Sequence, residues 1–293
     1  MRVPKIEKTS GLLFGLGVVV FALAMFHSVL GRDVVLFSTD DNVGALALRK
    51  AALPSAFFGW WDDSVLAGTT WDLAINWSNL LLWLLPVRIF TSWYHAIDLG
   101  FASLFLALFL RARGRSWAAC AIGALTAFWV GSNLTLTFAG HLGKFAVLMF
   151  AAAFLWLCEM AVRTRKIGWS LLAGGAIGGM FLEQPDLAMF FCLALGPFAL
   201  YTLAREHGFR VPAWLGVLVP MGIVAGLLAL PPVLSAYRSN VKSTTPGKPG
   251  DAESQWNFIT QWSWPPDESV DFIAPGYMGW RSGEPEGPYW GRM

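Results

Sequence analysis

The chain has 293 residues, 56% of them hydrophobic and 14% charged, with a net charge of +2 and a mean hydropathy of +0.53. An ordinary soluble domain carries roughly a quarter charged residues, so the composition points to a membrane protein. A net charge this small, with its basic residues scattered among loops, excludes a nucleic-acid-binding surface.

The opening MRVPKIEKT is followed by SGLLFGLGVVVFALAMFHSVLG. Basic-then-apolar is the order of a secretory signal, but the apolar part exceeds the roughly 7 to 15 residues of a signal core, so we read an uncleaved first transmembrane helix. Six further apolar blocks are long enough to approach a hydrocarbon core of about 30 Å. The spans are 10–31, 94–110, 117–133, 143–162, 168–182, 187–204 and 212–230. Charge asymmetry orients them, because short cytoplasmic loops collect Lys and Arg. With the N-terminus cytoplasmic, the inner segments hold Arg2, Lys5 and Lys8, then Arg111, Arg113 and Arg115, then Arg163, Arg165 and Lys166, then Arg205 and Arg210, whereas 134–142 and 183–186 hold none. An odd number of spans makes the C-terminus extracytoplasmic.

The first external loop, 32–93, contains FSTDDNVGALALRK at 37–50. Its adjacent acids, Asp40 and Asp41, precede an amphipathic helical pattern. Two nearby carboxylates at an interface suit general-base catalysis or oxygen ligation of a divalent metal. Equally, Ser38, Thr39 or Asp40 could cap a helix beginning near Asn42. GWWDDSVLAGT supplies a second acidic pair, Asp62 and Asp63, beside Trp60 and Trp61, whose rings suit sugar stacking or interfacial anchoring. WDLAINWSNLLLWLLPVRIF reads as an interfacial or re-entrant helix anchored by Trp71, Trp77 and Trp83, since counting it as a span would place the RARGR cluster outside.

Asp98 and Glu159 lie inside predicted spans, where acids are expensive and therefore functional candidates; Glu159 could also pair with Arg163 at i+4. AGHLGK places His141 and Lys144 at an external turn, where they could hold a phosphate or Lys144 could snorkel to water. LEQPDLA places Glu183 and Asp186 at the next external turn, as helix-start acids or substrate-binding groups. Cys120, Cys158 and Cys192 sit in apolar blocks with no metal or disulfide spacing. After Leu230 the composition turns to Pro, Gly, Ser and Trp, including Trp256, Trp262, Trp264, Tyr277, Trp280, Tyr289 and Trp290. The expectation is a transmembrane helical domain at 1–230, with interfacial helices in its 32–93 loop, and a loop-rich external segment at 231–293. With no closing element before Met293, the sequence reads as the N-terminal part of a longer protein.

The order of these pieces, from the acid-bearing loop through ALPSAFFGWWDDSVLAGTTWDLAINWSNLLLWLLP and YHAIDLGFASLFLALFLRARG to AGHLGK, resembles the YfhO family of bacterial membrane proteins, within the GT-C glycosyltransferases. The family's Pro-Leu-Trp-Asn-Pro-like motif is replaced here by FFGWWDDSVLAGTT, without the inner prolines. The resemblance implies a GT-C-like all-α polytopic protein of the bacterial inner membrane that uses a polyprenyl-phosphate sugar as donor and an extracytoplasmic acceptor. Carried over, Asp40 or Asp41 is the base that activates the acceptor hydroxyl. The rival expectation is a non-catalytic subunit that packs against membrane protein partners through the glycine-rich fifth span and the aromatic tail.

Overall fold

Apolar runs separated by Gly, Pro and short polar turns each form a helix in a computed structural model of the chain, which describes residues 8–30, 34–36, 38, 40–62, 69–71, 75–237, 256, 266–274 and 276–279. The helices are α1 (Lys8–Met25), α2 (Val43–Ala52), α3 (Trp77–Leu84), α4 (Val87–Ala112), α5 (Trp117–Phe128), α6 (Gly131–Ala139), α7 (Leu142–Thr164), α8 (Ile167–Glu183), α9 (Pro185–His207) and α10 (Val211–Ala236). Among the described residues, the only strands form a short antiparallel ribbon, Trp60–Asp62 with Thr69–Trp71, in which the backbone of Trp60 is in register with that of Trp71.

The chain is a multi-pass α-helical membrane protein. Helices α4, α7, α9 and α10 are each long and apolar enough to cross a membrane alone, and α5 with α6 makes a fifth candidate bent by 51°. The remaining predicted spans fall on the shorter apolar helices α1 and α8. Boundaries move at several places: α1 ends at Met25 rather than 31, α4 begins at Val87 rather than 94, and the span expected at 117–133 is interrupted after Phe128, with α6 taking in much of the expected external loop 134–142. The predicted interfacial helix at 71–92 is divided among the ribbon, the eight-residue α3 and the first turns of α4, because Leu85 and Pro86 are extended and stop α3. Helix α10 runs past the expected boundary at 230 to Ala236 and contains Pro231 and Pro232, as membrane helices tolerate.

The turns follow local chemistry. Ser116 caps α5 by accepting from the Ala119 amide (3.2 Å), and Pro185 begins α9, where its missing N–H is not needed. At the α5–α6 break the Asn133 amide donates to the carbonyls of Ala127 (3.2 Å) and Phe128 (3.1 Å), satisfying acceptors that the interrupted helix leaves open. Trp129, at the same break, donates to Ser103 Oγ of α4 (2.9 Å).

The chain divides into two compact units, 1–236 and 237–293. In the second, a short 3₁₀ segment spans Pro266–Phe272, and Asp271 accepts from the Met278 amide (3.1 Å). In the first, α7 is the central helix, 72% buried over its apolar window, whereas α10 is 11% buried and peripheral. Small residues let α8 approach both neighbours: a Cβ on Gly174 would overlap the Met221 carbonyl of α10, one on Gly178 would overlap Leu228, and one on Gly179 would meet the Phe150 ring of α7 at 2.8 Å. Gly175, on the same helix, faces open space. Gly174→Ala is therefore expected to destabilise the protein by about 1–3 kcal/mol through overpacking, while Gly175→Ala is neutral or slightly stabilising. Thermal unfolding of the two variants in mild detergent checks the contrast.

Candidate functional site

Alternation of the helices brings the starts of α4, α7 and α9 and the end of α8 to one pole, where the segment 38–42 also docks. Gly140, which ends α6 with φ +81°, makes the docking possible: a Cβ there would lie 2.7 Å from Ser38 Cβ and 2.9 Å from the Asp41 amide. Both the left-handed backbone and the missing side chain are needed. The Asp40 amide donates to the Ala139 carbonyl (3.1 Å), and Ser38 Oγ donates to the Asp41 carbonyl (2.7 Å).

This anchoring gives the two carboxylates different surroundings. Asp41 Oδ1 pairs with Arg49 Nη2 of α2 at 3.2 Å. The Asp40 side chain remains 62% exposed, with Oδ2 3.6 Å from His141 Nδ1. Neither acid caps α2; Asn42 does so, accepting from the Ala45 amide at 3.0 Å. The cap expected of Ser38 or Asp40 is thus displaced by a better-placed amide, and Thr39 lies outside the described residues.

Beneath this segment, charges hold α3 at both ends. At its start Asn76 accepts from the Asn79 amide (2.8 Å), and Glu183 accepts from the Ser78 amide (2.8 Å) and Ser78 Oγ (2.7 Å). At its end Lys50 Nζ donates to the carbonyls of Leu82 (2.6 Å), Trp83 (2.9 Å) and Leu85 (2.8 Å). An acid at the N-terminus and a base at the C-terminus complement the helix dipole. Trp77 is half-buried and donates its indole N–H to Asp98 Oδ1 of α4 (2.7 Å), a hydrogen bond within the bundle that the sequence did not show. On the same face of α4, His95 is 1% exposed and lies between the rings of Phe26 (4.6 Å) and Phe145 (5.8 Å). Among the described residues, neither His95 ring nitrogen nor Asp98 Oδ2 has a hydrogen-bond partner.

The remaining candidates separate. Gly143 packs against the Glu183 carbonyl and Gln184, which keeps Lys144 beside the α8–α9 turn; among the described residues Lys144 has no ion-pair partner. Asp186 is exposed in the first turn of α9 and takes no part in the α3 clamp. Trp60 and Asp62 lie on the first strand and Trp61 is 58% exposed, while Asp63 lies outside the described residues, as do Trp262, Trp264, Trp280, Tyr289 and Trp290. Among the described residues no group of three or more His, Cys, Asp or Glu side chains converges as a metal site. Arg49, Lys50, Asn76, Ser78 and His95 were not singled out from the sequence. Asn before an apolar run signals a cap at Asn42 and Asn76, and His95–Asp98 at i, i+3 in an apolar run marks a polar face, but the partners of Lys50 and Glu183 are remote in sequence.

Compared with protein-family models, curated proteins and solved structures, the chain has no match in any of the three.

Glu183 ends α8 beyond its apolar run, with both carboxylate oxygens turned inward onto Ser78. Withdrawal from water raises its pKa to about 7, against the opposing influence of hydrogen bonds from Ser78 and the Trp77 amide and of the Arg49 charge. Its pKa is higher in the folded than in the unfolded chain, so between about 4.5 and 7 the folded state holds the extra proton and stability falls as pH rises. Glu183→Gln is expected to flatten that slope. Thermal midpoints of both proteins across this window check it, and parallel pH dependences would contradict it.

Proposed function

We propose that the protein is a GT-C-like membrane glycosyltransferase of the bacterial inner membrane. In this reading it has seven spans, an N-terminus in the cytoplasm and the Asp40 pole outside. It transfers a sugar from a polyprenyl-phosphate donor to an extracytoplasmic acceptor hydroxyl. The observation that carries the reading is the unequal fate of the two adjacent acids: Arg49 neutralises Asp41, whereas Asp40 is exposed, fixed through its backbone to Ala139 and set beside His141. A base needs both access and a fixed position.

Asp40 takes the proton of the acceptor hydroxyl as its oxygen attacks the anomeric carbon. The bond from that carbon to the donor phosphate oxygen breaks, and the electron pair leaves with the phosphate. His141 and Lys144 hold the departing anion. An apolar groove of about 390 Å³ runs beside the start of α3, lined by Phe57, Ile75, Trp77, Leu182 and Leu228 among others, and supports a donor with an isoprenoid chain. The alternative of a non-catalytic subunit rests on the glycine-rich α8 and on the aromatic tail; on α8, Gly174, Gly178 and Gly179 are already used against α10 and α7, while most of the tail's aromatic residues lie outside the described residues.

Asp40→Asn is expected to lower sugar transfer from a radiolabelled polyprenyl-phosphate donor by about 10²–10⁴-fold with the thermal midpoint unchanged. Asp41→Asn, which breaks the Arg49 pair, acts mainly on stability. Full transfer by a folded Asp40→Asn protein would remove Asp40 as the base.

A further inference from the structure

At the opposite pole α4, α7 and α9 end together around one carboxylate. Glu159 of α7 is fully buried. Its Oε2 accepts from Arg113 Nε (3.0 Å) and Nη2 (2.8 Å), just after α4, and its Oε1 accepts from Arg163 Nε (2.6 Å) and from Arg205 Nη2 of α9 (3.2 Å). The i+4 pairing with Arg163 anticipated from the sequence is one of three.

Three guanidinium groups around a single carboxylate leave a local excess of positive charge. Arg111, Arg115, Arg165, Lys166 and Arg210 occupy the same helix ends, and the acids described at this pole are Glu159 and Glu206. Burial of these cations is graded: the Arg163 side chain is 8% exposed, Arg113 22% and Arg205 35%. The knot is therefore open on the α9 side. Along that side of α9 the exposed apolar side chains Tyr201 (60%) and Leu193 (70%) lie roughly 6 and 18 Å along the helix from Arg205, whose guanidinium lies 5.9 Å from the Tyr201 ring centre. A cationic head above an apolar stripe matches an amphiphile with an anionic head. It does not match a free anion, which has no use for the stripe, or a zwitterion, whose own cation opposes the arginines.

We propose that the Arg113–Glu159–Arg163–Arg205 knot binds the phosphate of an anionic phospholipid whose acyl chains lie along the Tyr201–Leu193 face of α9. Arg205 is the residue that reaches the headgroup, while Arg113 and Arg163 keep Glu159 satisfied. The site is separate from the Asp40 pole, and its occupation does not depend on the transferase reading.

The test is native mass spectrometry of the full chain, delipidated in mild detergent and titrated with dioleoyl phosphatidylglycerol or dioleoyl phosphatidylcholine. The wild-type protein is expected to retain phosphatidylglycerol preferentially. Arg205→Gln, which leaves Arg113 and Arg163 on Glu159, lowers that retention by roughly fivefold, as expected for one basic residue at a lipid surface. Leu193→Ser, on the exposed face of α9 and away from the knot's hydrogen bonds, also weakens retention. Equal retention of the two lipids by the wild type, or undiminished retention in both variants, overturns the proposal. Displacement of phosphatidylglycerol by equimolar inorganic phosphate would overturn the lipid assignment in favour of a free anion.

Discussion

The Asp40 pole depends on the electrostatic clamping of α3. Eight residues are too few to form a stable helix in isolation, and α3 ends where both its amides and its carbonyls would otherwise lack partners. Asn76 and Glu183 take up the first and Lys50 the second. Since Glu183 belongs to α8 and Lys50 to α2, the same bonds fix α2 on the bundle and hold Trp77 over Asp98. Arg49, next to Lys50, can then meet Asp41, and that contact distinguishes the two acids of the pair.

The helical skeleton was legible because apolar runs and breakers are local signals. Each predicted span overlaps a helix, although the one at 117–133 is broken at Trp129–Val130 and the one at 10–31 stops at Met25. Legibility failed where a long-range partner decided the outcome. Trp77 looked like an interfacial ring, and only the folded chain brings Asp98 within 2.7 Å of its indole nitrogen. Asp40 and Asp41 are adjacent and chemically identical in sequence; Gly140, about a hundred residues away, and Arg49 make them different. Glu159 shows both cases, since Arg163 is visible at i+4 whereas Arg113 and Arg205 arrive from two other helices.

The two poles use charge in opposite ways. Around Glu159 the acid is buried and surrounded by cations, an arrangement in which removing the acid would leave several charges without compensation. Around Asp40 the charges form separate small pairs, and the carboxylate nearest solvent has only a distant imidazole beside it. Low dielectric strengthens the first arrangement, and access to water preserves the reactivity of the second.

The break between α5 and α6 has a mechanical consequence. Helix α6 is nine residues long, about 13 Å, and its far end carries the Ala139 carbonyl to which the Asp40 amide is bound. It therefore ties the position of the Asp40 backbone to the direction α6 takes after the break at Trp129–Val130, where Asn133 bridges the open carbonyls. A pivot of about five degrees at that break displaces the far end by about 1 Å. A chain segment buried against α4 through Trp129 thus sets the aim of a carboxylate at the surface.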